Sequence, residues 1–228
     1  MNAVRVKICG ITRKEDLDAA AAAGADAVGF VVGVASSPRN LSLSDAEKLM
    51  RQVPPFVKSV LVTVPRGIDE FEMYEKLNPD AIQIHGENLH AAASIRLKIP
   101  NILLIGAVNA NLANALNVAS RASKIFDAVL LDSFADGRYG GTGIVHDWEL
   151  SKRVKQAIHP KPLILAGGLN PENVAEAVRT VQPYAVDASS GVERQPGIKD
   201  HKKIIEFIKK LTFKVNPIDN KKYRWSFK

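Results

Sequence analysis

Residues 27–32 read Ala-Val-Gly-Phe-Val-Val, a short apolar run with no polar interruption. Such a run is typical of a β-strand buried on both faces, as in a parallel sheet covered by helices. Similar runs, rich in β-branched residues, recur on both sides of it. Together they predict eight strands, at Val4–Cys9, Ala27–Val32, Val57–Val64, Ala81–His85, Ile102–Val108, Ala128–Asp132, Pro162–Ala166 and Ala185–Ala188.

Amphipathic segments with helix start and stop signals separate these runs. Thr12–Glu15 and Ser44–Glu47 match the capping-box pattern, in which the first and fourth residues satisfy each other's backbone N–H groups. Gly24 is placed as a C-cap, and Asn170 stands as an N-cap before a first-turn proline. Further helices are predicted at Asn88–Leu97, Asn111–Ala122, Asp147–Ala157 and Asp200–Leu211.

The alternation of strands and helices decides the fold class. Strands recur roughly every 20 to 35 residues, the size of one strand–helix unit. Eight such units predict an α/β fold, a (β/α)8 TIM barrel of the ribulose-phosphate-binding type, as one domain over residues 1–212. The rival is an open doubly wound sheet, but the first strand–helix turn, Cys9–Thr12, lacks the G-x-G-x-x-G pattern that often marks that fold. Residues 213–228 are predicted to be a basic C-terminal extension.

The net charge of +7 is concentrated at the end of the chain. Residues 198–228 hold ten Lys/Arg and three Asp/Glu, so residues 1–197 are balanced. A basic tail can bind nucleic acid, but this one matches no such motif, and a solvated terminus is favoured. The single cysteine excludes an intrachain disulfide, and neither a signal peptide nor a membrane-length apolar segment occurs. We expect a cytoplasmic monomer or homodimer with a small-molecule substrate and no nucleic-acid or membrane partner.

The ends of the predicted strands carry the candidates for chemistry, because barrel active sites lie there. Cys9 and Asp132 would face each other across the mouth, where a thiol and a carboxyl suit one proton abstraction and one donation. A solitary cysteine is more often an inert buried residue, whereas a strand-end carboxylate has to be paired or functional. Arg39 suits a carboxylate ligand or is a surface arginine. His85 is a proton carrier or, as favoured here, a supporting rim residue.

Glycine and serine gather in the loops after the seventh and eighth strands. These loops contain Gly167 and Gly168, and then Ser189, Ser190 and Gly191. Such loops let backbone N–H groups approach a phosphate, and barrels often bind phosphate at this place; two tight turns are the alternative. In the loop after strand six, Gly141 and Gly143 suit a lid or a second phosphate contact. No residues have the spacing of a metal site or of a G-x-S-x-G nucleophile elbow.

Seven segments resemble the signature segments of the phosphoribosylanthranilate isomerase family, in family order and from residue 5 to about residue 210. They read Lys7-Ile-Cys-Gly-Ile-Thr12, Ala27-Val-Gly-Phe30, Ser37-Pro-Arg39, Ile82-Gln-Ile-His-Gly86, Leu130-Leu-Asp132 with Gly140-Gly-Thr-Gly143, Ala166-Gly-Gly-Leu169, and Asp187-Ala-Ser-Ser-Gly-Val-Glu193 with Pro196-Gly-Ile-Lys-Asp200.

This resemblance implies an Amadori rearrangement, the third step of the tryptophan branch. N-(5-phosphoribosyl)anthranilate would become 1-(2-carboxyphenylamino)-1-deoxyribulose 5-phosphate without a metal, flavin or nicotinamide cofactor. The residue matching the family's general acid is Asp132, the one matching its general base is Cys9, and Arg39 matches the arginine that holds the anthranilate carboxylate.

Two alternatives remain at this point. A histidine-branch sugar-phosphate isomerase would share the phosphate loops, but it would more naturally end strands one and five in aspartates, where this chain has Cys9 and Asn109. A non-catalytic binder acting through the basic tail is the second, and deletion of residues 214–228 would separate it from an enzyme.

Overall fold

The computed structural model describes residues 4–65, 67–86, 91–133 and 147–212. Eight parallel strands close into a barrel, and a helix follows each of them, which confirms the predicted fold. The barrel strands are β1 (Arg5–Ile8), β2 (Ala27–Val32), β4 (Lys58–Thr63), β5 (Ala81–Ile84), β6 (Leu103–Asn109), β7 (Ala128–Asp132), β8 (Leu163–Leu165) and β9 (Ala185–Ala188). The helices are α1 (Lys14–Ala23), α2 (Leu43–Met50), α3 (Glu70–Lys76), α4 (Ala91–Lys98), α5 (Ala115–Ala122), α6 (Trp148–Ile158), α7 (Val174–Val181) and α8 (His201–Thr212).

Strand β1 closes the barrel. It pairs with β2, where Lys7 lies opposite Ala27, and with β9, where Lys7 lies opposite Asp187. A short strand, β3 (Asn40–Leu41), lies beside β2. A small antiparallel hairpin of β10 (Glu193–Gln195) and β11 (Ile198–Lys199) follows a single 3-10 turn at Ser190–Val192. The hairpin contacts the loops after β1 and β2, because the Gly197 carbonyl accepts from the Thr12 hydroxyl and Glu193 accepts from Arg39.

The side chains of the strands alternate between two apolar layers, as expected for a period of two. Those facing outward, such as Phe30 and Leu61, pack with the helices in one large cluster. Those facing inward, such as Val62 and Leu130, fill the barrel with a smaller cluster. Both layers are apolar, which explains why the strands read as continuous hydrophobic runs rather than as an alternation.

Two of the predicted helix starts are wrong. The Thr12 hydroxyl donates to the Gly197 carbonyl instead of capping α1, whose N-cap is Arg13. The second helix is capped by Ser42, two residues before the predicted Ser44, and the Ser42 hydroxyl accepts from Asp45 N. Gly24 ends α1 with φ +98°, as predicted.

Helices α6 and α8 agree with the predictions to within one residue at each end, whereas other helices differ. Helix α5 begins at Ala115 rather than Asn111, because residues 110–114 form a turn. Helix α3 was not predicted. The Asn170 side chain accepts from Glu172 N and Asn173 N, as a cap does, although α7 itself starts at Val174.

Within the described ranges, no helix has the length and apolar character needed to cross a bilayer. The barrel extends to Thr212 at the end of α8, and the predicted basic extension, residues 213–228, lies outside the described residues.

Candidate active site

An open cleft lies at the C-terminal ends of the strands. Polar and charged side chains from several strands converge on it, although the barrel below is largely apolar. The cleft is lined by Cys9, Ser37, Arg39, Thr63, Gln83, His85, Asp132, Asp187, the 166–169 loop and the 189–191 loop.

Cys9 follows β1 and points inward. Its N–H donates to the Ala188 carbonyl at 2.8 Å, and the residue is 7% exposed. Burial raises the pKa of the thiol above its ordinary value, and the Lys7 ammonium acts against that rise. The thiol is therefore a weak acid whose ionisation depends on neighbouring cations.

Asp132 ends β7 and lines the same cleft as Cys9. Its Oδ1 accepts from Ser133 N at 2.8 Å. Burial, and then the nearby Asp187 carboxylate, raise the pKa of Asp132 to about 7. A carboxyl tuned in this way stays partly protonated near neutrality and can donate a proton.

Arg39 is held by Glu193 of the β10–β11 hairpin. Its Nε lies 2.8 Å from Glu193 Oε1 and its Nη2 lies 2.6 Å from Oε2, with both residues buried. Glu193 Oε1 also accepts from Lys199 Nζ at 2.8 Å. The three side chains together carry one net positive charge. Two of the five guanidinium N–H donors are used on Glu193, which leaves three that can serve a ligand carboxylate.

His85 follows β5 and is 6% exposed. Its Nε2 lies 2.7 Å from Gln83 Nε2, so the amide donates and the ring nitrogen accepts. Burial, assisted by the charge of Lys7, lowers the pKa of His85 to about 3. The imidazole is therefore neutral at physiological pH, which fits the supporting role favoured from the sequence.

The 166–169 and 189–191 loops form one end of the cleft. Gly167 and Gly168 have φ values of +82° and +65°, which only glycine adopts readily. At Gly191, an added Cβ would overlap the Leu169 carbonyl oxygen. The two loops are thus in backbone contact, and their free N–H groups can converge on one anion.

Two predicted site residues lie outside the described part of the chain, and three charged residues of the site were not predicted from the sequence. Gly141 and Gly143 lie in residues 134–146, outside the described residues. Sequence reasoning missed Lys7, Asp187 and Glu193. The first two are charged residues at inward positions of otherwise apolar strands, and that interruption was the available signal. Among the described residues, no group of three or more His, Cys, Asp or Glu side chains could hold a metal ion.

A family model and the sequences of known proteins both match this chain to the same isomerase family. The family model for N-(5'-phosphoribosyl)anthranilate (PRA) isomerase matches residues 6–210. The N-(5'-phosphoribosyl)anthranilate isomerase of Methanothrix thermoacetophila is 44% identical over 209 residues, covering 91% of this chain and 97% of the relative.

Solved structures agree with the sequence matches. Phosphoribosyl anthranilate isomerase from Thermotoga maritima superposes with a TM-score of 0.81 at 39% identity, covering 91% of this chain and 98% of that one. A second structure, 38% identical with the same coverage and a TM-score of 0.75, is a complex of such an isomerase with reduced 1-(o-carboxyphenylamino)-1-deoxyribulose 5-phosphate. A third, 36% identical with the same coverage and a TM-score of 0.75, is of monomers made from the dimeric Thermotoga maritima enzyme.

Proposed function

The chain belongs to the N-(5'-phosphoribosyl)anthranilate isomerase family. From this membership we propose how the residues of its cleft carry out the isomerisation. The chain isomerises N-(5-phosphoribosyl)anthranilate to 1-(2-carboxyphenylamino)-1-deoxyribulose 5-phosphate in tryptophan biosynthesis. The observation that supports the assignment of roles is the arrangement of Cys9 and Asp132 in one cleft, with an anion-binding pair of loops at its end.

Asp132 is the general acid. Its carboxyl proton passes to the furanose ring oxygen, the bond from C1 to that oxygen breaks, and the nitrogen lone pair forms an iminium with C1. The pKa of about 7 keeps enough of the protonated acid present near neutrality. Proton transfer of this kind contributes roughly 10²- to 10⁴-fold to the rate.

Cys9 is the general base. The thiolate removes the proton from C2, and the electron pair of that bond moves to form the C1–C2 double bond and neutralise the iminium nitrogen. The resulting enolamine then loses its hydroxyl proton and gains one at C1, which leaves the ketone. The iminium nitrogen is the electron sink in this scheme, so the steps need no metal, flavin or nicotinamide.

The remaining groups bind and orient the substrate. Gly167, Gly168, Ser189, Ser190 and Gly191 present backbone N–H groups and hydroxyls to the phosphate. The Arg39 guanidinium, held by Glu193, receives the anthranilate carboxylate. Neutral His85 lines the same cleft and has a supporting role. Gly141 and Gly143, from the loop after strand six, are proposed as a second phosphate-facing segment on sequence grounds alone.

The experiment is a fluorescence assay with freshly generated phosphoribosylanthranilate, run with and without a chelator. We expect equal turnover in both. Loss of activity with chelator would contradict the cofactor-free scheme, and no turnover at all would contradict the function. A cytoplasmic location and a monomeric or homodimeric state complete the proposal; a solved relative described as dimeric makes the homodimer reasonable.

A further inference from the structure

Two charged side chains are buried inside the barrel beneath the cleft. Lys7 Nζ lies 3.0 Å from Asp187 Oδ1, and the two residues are 4% and 7% exposed. They stand opposite each other in the register of β1 and β9. Removing two charges from water costs several kcal/mol per ion, and an apolar pair of the same volume would often be at least as stable. Stability alone does not explain this pair.

The Lys7 ammonium lies beside the Cys9 sulfur. Both side chains project inward from β1, and both lie against Gly29 of the neighbouring strand. A Cβ added at Gly29 would stand 2.9 Å from Cys9 Sγ and 3.2 Å from Lys7 Nζ. The missing side chain at Gly29 therefore leaves the space in which the sulfur and the ammonium meet.

Asp187 and Asp132 both line the cleft, on strands that are separated only by β8. The Asp187 carboxylate has the largest effect of any charged group on Asp132, where it opposes ionisation, and Lys7 has a weaker opposite effect. Around Cys9, the charged groups from neighbouring elements are Lys7, Asp187 and Lys199, and Arg39 also interacts with the thiol. Of these, Lys7 has the largest effect on the thiol, and it favours the thiolate.

We propose that Lys7, held in place by Asp187, is a positioning residue that stabilises the Cys9 thiolate, while Asp187 keeps the proton on Asp132. The pair thus shifts the proton away from Cys9 and towards Asp132. This inference deepens the proposed function, because it explains how a buried thiol serves as a base. An opposite charge within about 4–6 Å typically moves a pKa by 1 to 3.

The test measures the ionisation of Cys9 directly. Cys9 is the only cysteine, so the pH dependence of alkylation by iodoacetamide reports on it alone. Ultraviolet absorbance of the thiolate gives a second reading that does not depend on access. In Lys7→Met, we expect the pH midpoint of Cys9 ionisation, measured in both ways, to rise by at least about one pH unit. In Lys7→Arg, which keeps the charge, we expect a midpoint close to that of the parent protein. An unchanged midpoint in Lys7→Met would overturn the proposal.

A second variant guards against misfolding. Lys7→Met leaves Asp187 buried without a partner, so Lys7→Met/Asp187→Asn removes both charges together. Because Lys7 influences the thiol more than Asp187 does, the double variant should still show a raised midpoint. A midpoint at or below that of the parent protein would contradict the assignment.

Steady-state kinetics separate this inference from the proposed function. If Cys9 is the base, kcat of Lys7→Met should fall at pH 7 with KM little changed, and the alkaline limb of its pH profile should move to higher pH. A raised thiol midpoint with unchanged kcat would support the Lys7 effect and contradict the catalytic role of Cys9.

Discussion

Both carboxylate oxygens of Glu193 hold the Arg39 guanidinium, with Nε 2.8 Å from Oε1 and Nη2 2.6 Å from Oε2. Glu193 lies two residues after the 189–191 loop, and Lys199 joins the two by donating to Glu193 Oε1 and to the Ser189 carbonyl. The side chain proposed to bind the anthranilate carboxylate is thereby fixed to one of the loops proposed to bind the phosphate.

This arrangement predicts graded losses of binding. Arg39→Ala should raise KM by roughly 100-fold, and Glu193→Gln by roughly 10-fold, because the amide keeps one acceptor but loses the charge that orients the guanidinium. In both variants kcat should change much less. Steady-state kinetics would check this, with the exposed Glu176→Gln as control. An unchanged KM in Arg39→Ala would remove the arginine from substrate binding.

Replacing either reacting group should abolish most of the turnover. Cys9→Ser and Asp132→Asn keep the size of the side chain but remove the base or the acid, so kcat should fall by roughly 10²- to 10⁴-fold or more. KM should change far less, because neither group anchors the substrate. Near-normal turnover in one variant would exclude that residue from the mechanism.

The pH dependence of kcat/KM should be bell-shaped with an acid limb near pH 7. In the proposed mechanism Asp132 is protonated and Cys9 is ionised, so the two groups together carry one proton. The pKa of Asp132 is about 7 and that of Cys9 is raised, so this one-proton state is lost below about pH 7 and again at alkaline pH. Asp187→Asn should move the acid limb to lower pH, because it removes the neighbouring negative charge. Activity that stays constant from pH 8 down to pH 5 would contradict the assignment.

The buried Asp132 carboxyl should also lower the free energy of unfolding at neutral and alkaline pH. Its pKa is about 7 in the fold and about 3.9 when unfolded, so the folded state binds more protons between these values and stability falls as the pH rises through them. Asp132→Asn should therefore gain stability over the parent protein, by a few kcal/mol at pH 8 and less at pH 5.

Urea unfolding at both pH values measures this difference. His85, with a pKa of about 3, gives the opposite pH dependence, but it is present in both proteins and cancels. The exposed Asp18→Asn serves as control and should show no pH-dependent gain. Equal stability of Asp132→Asn and the parent protein at pH 8 would show that the carboxyl is not strained by burial.

The phosphate end can be tested through its backbone contact. In Gly191→Ala the new methyl group would overlap the Leu169 carbonyl and push the two loops apart. We expect KM to rise by at least roughly 10-fold and inhibition by inorganic phosphate to weaken in parallel. Gly67→Ala, where an added Cβ meets nothing within 4 Å, is the matched control and should behave as the parent protein. Unaltered phosphate inhibition in Gly191→Ala would place the phosphate elsewhere.

The sequence predicted the barrel well because its signals are local. The strands Ala27–Val32, Ala128–Asp132 and Ala185–Ala188 were placed to the residue, since buried parallel strands are marked by continuous apolar runs. Helix starts were less predictable. Thr12 has the right residue type for a cap, but its hydroxyl bonds to Gly197, a partner far along the chain that no local pattern reveals.

The same limit applies to the site. Strand-end positions identified Cys9, His85 and Asp132, because topology alone brings such ends to one rim. The charged pairs around them join residues far apart in sequence: Lys7 pairs with Asp187, and Arg39 pairs with Glu193. Pairings over such separations depend on closure of the sheet, which composition and periodicity do not encode residue by residue.

Closure through β1 also has a consequence for synthesis on the ribosome. Strand β1, which carries Lys7 and leads to Cys9, is the first barrel strand to be translated. Its partner β9 is the last barrel strand to be translated. Any nascent chain shorter than Ala188 therefore exposes an unpaired edge on β1 and lacks the counter-ion for a buried ammonium. Assembly of the reacting centre is thus confined to the final stage of chain growth, when the earliest and latest segments first meet.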